Sequence, residues 1–201
     1  MMSPGDSAIF KTSADSLFEK TFQTTLPGYV KPGSSIIFQV KLQRIIPKSV
    51  QDSLEHLRDI EMRKEEFVKI EKFLQQNNMD VMPTENGAYM VISKPGTGNF
   101  PAKGDTVFIA YTGRLLDGTI FDQSVNKTPP FSFISGENMV IAGLEECIPF
   151  LNKGAIARIV LPSDLGYGAE AYGHLPGYST LVFDIEILDV NPGNRELKIV
   201  N

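Results

Sequence analysis

Residue types that usually carry covalent or metal chemistry are sparse in this chain of 201 residues. It has one cysteine, Cys147, and two histidines, His56 and His174, which lie far apart in sequence. No His-Glu-x-x-His motif, cysteine pair, Gly-x-Ser-x-Gly motif or phosphate-binding loop accompanies them. We interpret Cys147 as a small buried residue. The sequence therefore predicts chemistry without a nucleophile, a metal ion or a cofactor.

Aromatic and aliphatic side chains bracketed by turns are the remaining candidates, and short β segments from Gly87 onward would position them. A hairpin turn is predicted at residues 116–118, and a short apolar helix after Asn138. Pro149 removes a hydrogen bond inside that helix, so we expect the helix to kink or stop early. The pattern predicts an α+β fold, a curved antiparallel sheet with one short helix. The strand segments read "AYMVIS", "TVFIAYTGRL", "TIFDQS" and "FSFI".

A long helix is predicted over residues 49–78, which contain no glycine or proline. Ser49, after Pro47, is a plausible N-cap, and Asn77 and Asn78 can end the helix. We expect its charges to form a solvated face with i,i+4 pairs, while its apolar stripe can seat against a domain or a second helix. The stripe comprises Val50, Leu54, Leu57, Ile60, Phe67, Ile70, Phe73 and Leu74.

An internal repeat relates the first 45 residues to residues 154–190. Both copies contain Leu-Pro-Gly-Tyr, then two small hydroxylated residues, then an apolar strand. Each copy is predicted to form a strand, a loop and a second strand. The matched pairs are Gly5 and Gly154, Ala8 and Ala157, Phe10 and Ile159, Asp15 and Asp164, Phe18 and Tyr167, and Phe38 and Phe183.

Several motifs together resemble the FKBP-type peptidyl-prolyl isomerases, in a bacterial form with a helical linker and a partial N-terminal copy. The resemblance covers about residues 88–190. It implies a strongly bent antiparallel sheet wrapped around a short helix, with an apolar pocket between them. The motifs are "VFIAYTGRLLDGTIFDQS", "PFSFISGENMVIAGLEE", "LPSDLGYG" and "STLVFDIEILDV".

The same resemblance implies which residues form the pocket. The Tyr167 hydroxyl would donate to a substrate carbonyl, and Asp122 would accept from Tyr111 or steady the twisted amide. The implied catalytic residues are Tyr111, Phe121, Asp122 and Tyr167, and the implied substrate-binding residues are Phe131, Val140, Ile141, Leu144, Leu175 and Phe183.

An apolar pocket suits the reaction that the family resemblance implies. Amide resonance gives an X-Pro bond a rotation barrier of about 18 to 20 kcal/mol, and moving the imide out of water weakens the charge-separated resonance form. The predicted function is therefore acceleration of X-Pro rotation in folding proteins. A non-catalytic peptide-binding or chaperone module is the alternative, because Pro176-Gly177 replaces the common Pro-Pro in an altered loop, the first copy has Phe18 in place of Tyr167, and the helical arm is exposed. Leu144, which stands where many members have tryptophan, makes the pocket floor shallower but still apolar.

The predicted domain boundaries follow from the repeat. Residues 1–46 form a partial, second-half FKBP-like segment, residues 47–80 a helical linker, residues 81–192 the complete isomerase domain, and residues 193–201 a tail. We expect the chain to be a fragment of a longer protein with two FKBP-like units. A native short chain whose half-domain is completed by a partner or packs on the helix is the alternative.

Charge and resemblance indicate the partners. A net charge of −5 argues against nucleic acid as the main partner, because phosphate binding needs a concentrated positive surface. The resemblance implies proline-containing peptides, unfolded or folding proteins, and macrolides such as rapamycin. A homodimer through the helix or the N-terminal half-domain is also expected. The first residues of this sequence lack the basic and apolar segments of a signal peptide, and by resemblance we expect the cell envelope or periplasm in preference to the cytoplasm.

Overall fold

A computed structural model of the chain describes residues 2–125 and 127–193. These residues divide into two units, Met1–His56 and Leu57–Asn201, and the boundary falls within one long helix. Of the predicted tail, residues 194–201 lie outside the described part of the chain. Within that part, no helix combines the length and the apolar character that crossing a bilayer requires.

The first unit is built on a two-stranded antiparallel sheet of β1 (Ser7–Ser13) and β2 (Ser35–Lys41). Between the strands lie one short helical turn, α1 (Ala14–Ser16), and a π-type turn (Leu17–Thr21). The Ser13 hydroxyl accepts a hydrogen bond from the Ser16 amide and so caps α1. The predicted order of strand, loop and strand is therefore confirmed for the first copy.

The repeat extends to the pairing of the strands. In the first copy, Phe10 on β1 lies opposite Phe38 on β2. In the second copy, the equivalent Ile159 lies opposite Phe183, so both hairpins share one register. The strands of this second hairpin are β7 (Ile156–Leu161) and β8 (Leu181–Asn191), with a 3₁₀ turn (Ser163–Leu165) after β7.

The second unit contains a six-stranded antiparallel sheet in the order β3-β7-β8-β4-β5, with β6 also paired to β4. Shifts of register in β4 at Phe108–Ile109 and Gly113–Arg114 are typical of bulges, which bend a strand. The hairpin turn predicted at residues 116–118 joins β4 to β5. The remaining strands are β3 (Tyr89–Lys94), β4 (Thr106–Leu115), β5 (Ile120–Gln123) and β6 (Phe131–Ile134).

A short helix, α3 (Ala142–Cys147), packs against this sheet and continues as a 3₁₀ turn (Ile148–Phe150). Pro149 lies in that turn, so the prediction that the α-helix stops early is confirmed. The apolar side of α3 joins the core formed by the inner face of the sheet. That core includes Val107, Ile109, Leu144, Cys147, Ile148, Leu151, Ile159, Leu161, Ile185 and Ile187.

The long helix α2 spans Lys48–Gln76, close to the predicted bounds. The prediction of Ser49 as N-cap is wrong, because Ser49 lies inside the helix and the Pro47 carbonyl accepts the first helical hydrogen bonds, from Val50 and Gln51. Proline has a preset φ that suits a first helical turn, which explains the earlier start.

The predicted end of α2 is confirmed. Asn78 adopts the left-handed conformation with φ of 52°. The Asn78 amide donates to the Gln75 carbonyl and the Met79 amide to the Leu74 carbonyl, which together form a Schellman motif.

The C-terminal half of α2 packs on the outer face of the sheet. Ile70 and Leu74 are buried there with Val160 of β7 and Val182 of β8. The prediction that the stripe seats against a domain is therefore confirmed for Ile70, Phe73 and Leu74, whereas Phe67 of the same stripe is exposed. In the N-terminal half, Val50, Leu54 and Leu57 are exposed. The predicted i,i+4 charge pairs are present as Asp59–Arg63 and Glu65–Lys69.

Candidate active site

The inner end of the candidate pocket is a cluster of aromatic rings on the central strands. Tyr111 on β4 and Phe183 on β8 are buried, with ring centroids 6.1 Å apart. Phe121 on β5 meets Phe183 edge-on, with centroids 5.6 Å apart and planes at 89°. Phe131 on β6 meets Tyr111 edge-on at 5.5 Å. Edge-to-face contacts of this kind hold the rings in fixed orientations.

Gly113 makes room for this cluster. It lies on β4 directly opposite Phe183. A Cβ at this position would come within 2.7 Å of the Phe121 ring and 3.0 Å of the Phe183 ring. Residue 113 therefore has to be glycine for the two rings to approach as they do. Our sequence interpretation did not assign Gly113 a role, although it stands inside the quoted motif "VFIAYTGRLLDGTIFDQS".

One hydrogen bond connects the polar groups of the site. The Tyr111 hydroxyl donates to Oδ2 of Asp122 at 2.5 Å, as the family resemblance implies. Burial raises the pKa of the Tyr111 hydroxyl above its usual range, and the hydrogen bond to Asp122 raises it further. Tyr111 is therefore a neutral donor throughout the physiological range of pH.

The backbone beside this pair is anchored by Ser124, which the sequence interpretation also missed. Ser124 is buried, and its hydroxyl accepts a hydrogen bond from the Tyr111 amide at 3.0 Å. The Ser124 amide donates in return to the Tyr111 carbonyl at 2.9 Å. These bonds extend the pairing of β4 into the chain after β5. They hold the Tyr111 backbone in place, and with it the start of the side chain that lines the pocket.

The entry to α3 forms a second wall. Val140 and Ile141 precede the helix and Leu144 lies in its first turn. The Glu145 carboxylate accepts hydrogen bonds from the Gly136 amide at 2.8 Å and from the Met139 amide at 3.1 Å. Glu145 thereby folds the preceding loop back onto the helix.

Tyr167 provides the third wall, from the loop between β7 and β8. Its ring stacks on Tyr172 with centroids 4.6 Å apart and planes at 6°. Burial raises the pKa of Tyr167, and the neighbouring Tyr172 and Asp122 add to the effect. Among the described residues, no hydrogen-bond partner occupies the Tyr167 hydroxyl, so it is a neutral group available to donate to a ligand.

These walls enclose an open cavity of about 410 Å³. It brings together all the predicted site residues except Leu175, and adds Asn138 and Met139, which the sequence interpretation did not assign to the site. Side chains in the loop before a helix carry no periodic signal, so no pattern marked them. The predicted residues that line the cavity are Tyr111, Phe121, Asp122, Phe131, Val140, Ile141, Leu144, Tyr167 and Phe183.

Leu175 does not line this cavity. It is buried and lines a neighbouring cavity, which shares Tyr167 with the first and also includes Tyr172 and His174. The reason is a tight turn, in which the Tyr172 amide donates to the Leu175 carbonyl and the Leu175 amide to the Tyr172 carbonyl, both at 2.9 Å. This turn directs Leu175 into the core.

The arrangement is an apolar cleft with few polar groups. The Tyr111 hydroxyl is committed to Asp122, whose side chain lies at the exposed rim, and Tyr167 is the other tyrosine that lines the cavity. Such a cleft can desolvate a flat apolar ring with one or two hydrogen-bonding groups beside it. The described residues that line it include no cysteine, serine, threonine, lysine or histidine.

Comparison with known proteins supports this interpretation. The family model described as FKBP-type peptidyl-prolyl cis-trans isomerase matches residues 97–188. The FK506-binding protein 1A of Aspergillus fumigatus is 43% identical over 107 residues, which are 52% of this chain and 96% of that protein. A probable FKBP-type peptidyl-prolyl cis-trans isomerase of Haemophilus influenzae is 40% identical over 118 residues, 58% of this chain and 48% of that protein.

A solved structure is also similar. The crystal structure of a peptidyl-prolyl cis-trans isomerase from Pseudomonas syringae pv. tomato superimposes with a TM-score of 0.54 at 32% identity, covering 74% of this chain and 99% of the other. The chain spans about half the length of the bacterial curated relatives that it matches. The predicted α+β fold and isomerase class are confirmed. The chain belongs to the FKBP-type peptidyl-prolyl cis-trans isomerases.

Proposed function

We propose that the cavity of the second unit accelerates cis-trans rotation of X-Pro bonds in folding proteins. The observation that carries this proposal is the Tyr111–Asp122 hydrogen bond of 2.5 Å, set at the rim of an otherwise apolar aromatic cleft. Unfolded and folding chains expose X-Pro bonds, whose uncatalysed exchange takes tens of seconds or more.

The cleft lowers the barrier by desolvation. The planar imide is stabilised in water by a charge-separated resonance form, and an apolar environment weakens that form. The twisted transition state has lost the resonance and is affected less. Because the cleft destabilises the ground state more than the transition state, the rate rises without any covalent step.

Two polar groups complete the proposed roles. The Tyr167 hydroxyl donates to a substrate carbonyl and holds the peptide with its proline ring against Phe183 and Phe121. Asp122, oriented by Tyr111, presents its negative charge to the twisted imide. Phe131, Val140, Ile141 and Leu144 provide the apolar surface around the ring. A tenfold acceleration needs only about 1.4 kcal/mol, so a few such contacts suffice.

Exchange spectroscopy on short X-Pro peptides tests this function. The parent chain should accelerate exchange, and Asp122→Ala and Tyr167→Phe should each lower kcat/KM by about tenfold, because each removes one polar contact to the substrate. Tyr29→Phe is the matched control, since Tyr29 is exposed in the first unit. A folded parent chain that leaves the exchange rate unchanged would exclude the enzyme.

A peptide-binding module without catalysis is the second candidate. The observation that favours it is the loop of Tyr172 to Leu175, which turns Leu175 away from the cavity and leaves that side of the cleft without it. Binding of a proline peptide in titration calorimetry, without faster exchange, would establish this function. Binding of rapamycin, which we also propose for the same cavity, would locate the ligand but would not separate the two candidates.

We further propose that residues 1–46 are the second half of another FKBP-like unit, residues 47–80 a helical linker and residues 81–192 the isomerase domain. The support is the common strand register of the two hairpins, with Phe10 opposite Phe38 and Ile159 opposite Phe183. Every residue that contacts the substrate in the proposed reaction belongs to the third segment.

A further inference from the structure

Toward the N-terminus of α2, the face of the helix that packs on the sheet carries charged residues. Asp59, Arg63 and Glu66 are spaced i, i+4 and i+7 and lie on the same side of the helix as Ile70 and Leu74. The apolar part of this face covers β7 and β8. The charged part reaches the loop of residues 163–180, which carries Tyr167.

Glu66 is the most deeply placed of these residues, with 6% of its surface exposed. Its Oε1 accepts hydrogen bonds from the Ser163 amide at 2.7 Å and from the Thr180 hydroxyl at 2.8 Å. Its Oε2 accepts one from the Ser163 hydroxyl at 2.7 Å. A buried carboxylate is tolerated only when donors replace its water, and these three do so.

The two residues that Glu66 binds are the two ends of the Tyr167 loop. Ser163 begins the 3₁₀ turn after β7, and Thr180 immediately precedes β8. Within the loop, the Gly168 amide donates to the Ser163 carbonyl at 2.8 Å, and Gly168 follows Tyr167 directly. The position of the Tyr167 backbone is therefore tied to Ser163, and through Ser163 to Glu66.

The neighbouring charges of α2 add two contacts to the same loop. The Tyr178 hydroxyl donates to Oδ1 of Asp59 at 2.8 Å. Arg63 donates to Asp59 at 2.9 Å and to Asp164, one residue beyond Ser163. These two contacts are more exposed than Glu66 and are screened by water. The buried Glu66 is the main fixed point.

We propose that Glu66 of α2 is a positioning residue of the isomerase site, joining both ends of the loop of residues 163–180 and thereby fixing Tyr167 against the cavity. The predicted effect of Glu66 on catalysis rests on the proposed function. The predicted effect of Glu66 on the loop does not, because the hydrogen bonds exist without a substrate.

The test compares Glu66→Gln with Glu65→Gln. Both variants remove one carboxylate from α2, but Glu65 is exposed and, among the residues that the structure describes, its ion pair is with Lys69. Amide hydrogen exchange measured by NMR reports the loop, and exchange spectroscopy of X-Pro peptides reports kcat/KM. In Glu66→Gln, the Gly166 and Gly168 amides, which both donate to the Ser163 carbonyl, should exchange faster and kcat/KM should fall about three- to tenfold, while β4 amides stay protected. Glu65→Gln should match the parent chain.

The readouts separate the possible failures. Equal exchange at Gly166 and Gly168 in the two variants would overturn the inference, as would a fall in kcat/KM no larger than the unfolded fraction. The parent chain could instead show the expected protection of its loop amides and still fail to accelerate X-Pro exchange. That result would refute the proposed function, and with it the catalytic part of the inference. If Glu66→Gln does not fold, Thr180→Val carries the same test, because it removes one of the three donors and keeps the carboxylate.

Discussion

The Cys147 thiol lies in the last turn of α3, one turn beyond the pocket residue Leu144, yet it has no part in the proposed reaction. The side chain is fully buried in the core. Burial raises the pKa of the thiol to about 12, and the nearby Glu146 carboxylate adds to the shift. A thiol with this pKa is protonated and unreactive at neutral pH. Its role is to fill space between the helix and the sheet.

The raised pKa of Cys147 makes the stability of the fold sensitive to alkali. In the unfolded chain the thiol ionises near its ordinary value of 9.0, whereas the folded chain retains the proton to about 12. Between these values unfolding releases a proton. The free energy of unfolding should therefore fall by about 1.4 kcal/mol per pH unit from this group. Urea unfolding at a series of pH values above 9 measures the slope.

Cys147→Ala is the control for this prediction. The variant keeps the buried tyrosines, whose raised pKa values give the same sign of dependence at higher pH. Only the thiol contribution is lost, so the variant should show a shallower decline than the parent chain. Parallel curves for the two proteins would contradict the proposed ionisation of Cys147.

On strand β4, one glycine determines whether the aromatic cluster can form. Gly113→Ala places a methyl group within 3.0 Å of both the Phe121 and Phe183 rings. The rings have to move, because a Cβ in a paired strand cannot. We expect a loss of about 1 to 3 kcal/mol in the free energy of unfolding and a lower kcat/KM in the folded fraction.

Gly28→Ala is the matched control for Gly113→Ala. A Cβ at Gly28 has nothing within 4 Å, and its φ lies outside the left-handed region. Urea unfolding and exchange spectroscopy on both variants separate the steric effect from a general effect of replacing glycine. If Gly113→Ala keeps the stability and kcat/KM of Gly28→Ala, then the ring contacts do not limit the site.

Local signals explain which elements the sequence could predict. Alternating apolar residues and the turn at residues 116–118 indicated β4 and β5, and Pro149 indicated the end of α3. The place of Leu175 depends on a turn that closes between Tyr172 and Leu175, and short loops of this kind carry no periodicity. The position of Glu66 depends on donors 97 and 114 residues away, which no local pattern reveals.

The pocket itself was predictable for a different reason. The motifs around Tyr111, Asp122 and Tyr167 resemble those of a known family, and the comparisons confirm the family. The resemblance extends only to the motif residues. Gly113 and Ser124 act through their contacts with those residues, so their importance became visible only in the folded structure.

At the scale of the whole chain, the two copies of the repeat differ in what covers them. Ile159 and Phe183 are 0% and 4% exposed, whereas the matched Phe10 and Phe38 are 51% and 42% exposed. In the second unit β8 also pairs along its other edge with β4. In the described part of the first unit β2 pairs with β1 alone, so one edge and one apolar face are uncovered.

Uncovered edges and apolar faces promote association between chains. The exposed stripe of α2, which includes Leu54 and Leu57, is the competing surface. The hairpin combines an apolar face with unpaired backbone groups, whereas all backbone groups inside a helix are already bonded. Of the two routes to the expected homodimer, we therefore favour the hairpin.

Replacing Phe10 and Phe38 together with serine tests that route. The two residues form one cross-strand pair, so the double variant removes the centre of the apolar face while the register can be held by the flanking pairs. Sedimentation velocity at several concentrations should show association of the parent chain and its loss in the double variant. The kcat/KM for X-Pro peptides should stay unchanged, because the cavity residues all lie in the second unit.

Replacing Leu54 and Leu57 with serine is the matched variant on the helix, since it removes two exposed apolar side chains of similar kind. If the hairpin is the interface, this variant associates like the parent chain, because its β2 edge and apolar face are intact. If it becomes monomeric while the Phe10 and Phe38 variant still associates, the helix is the interface. A parent chain that is monomeric at every concentration would refute both surfaces, and would mean that two exposed strands are too small to hold two chains together.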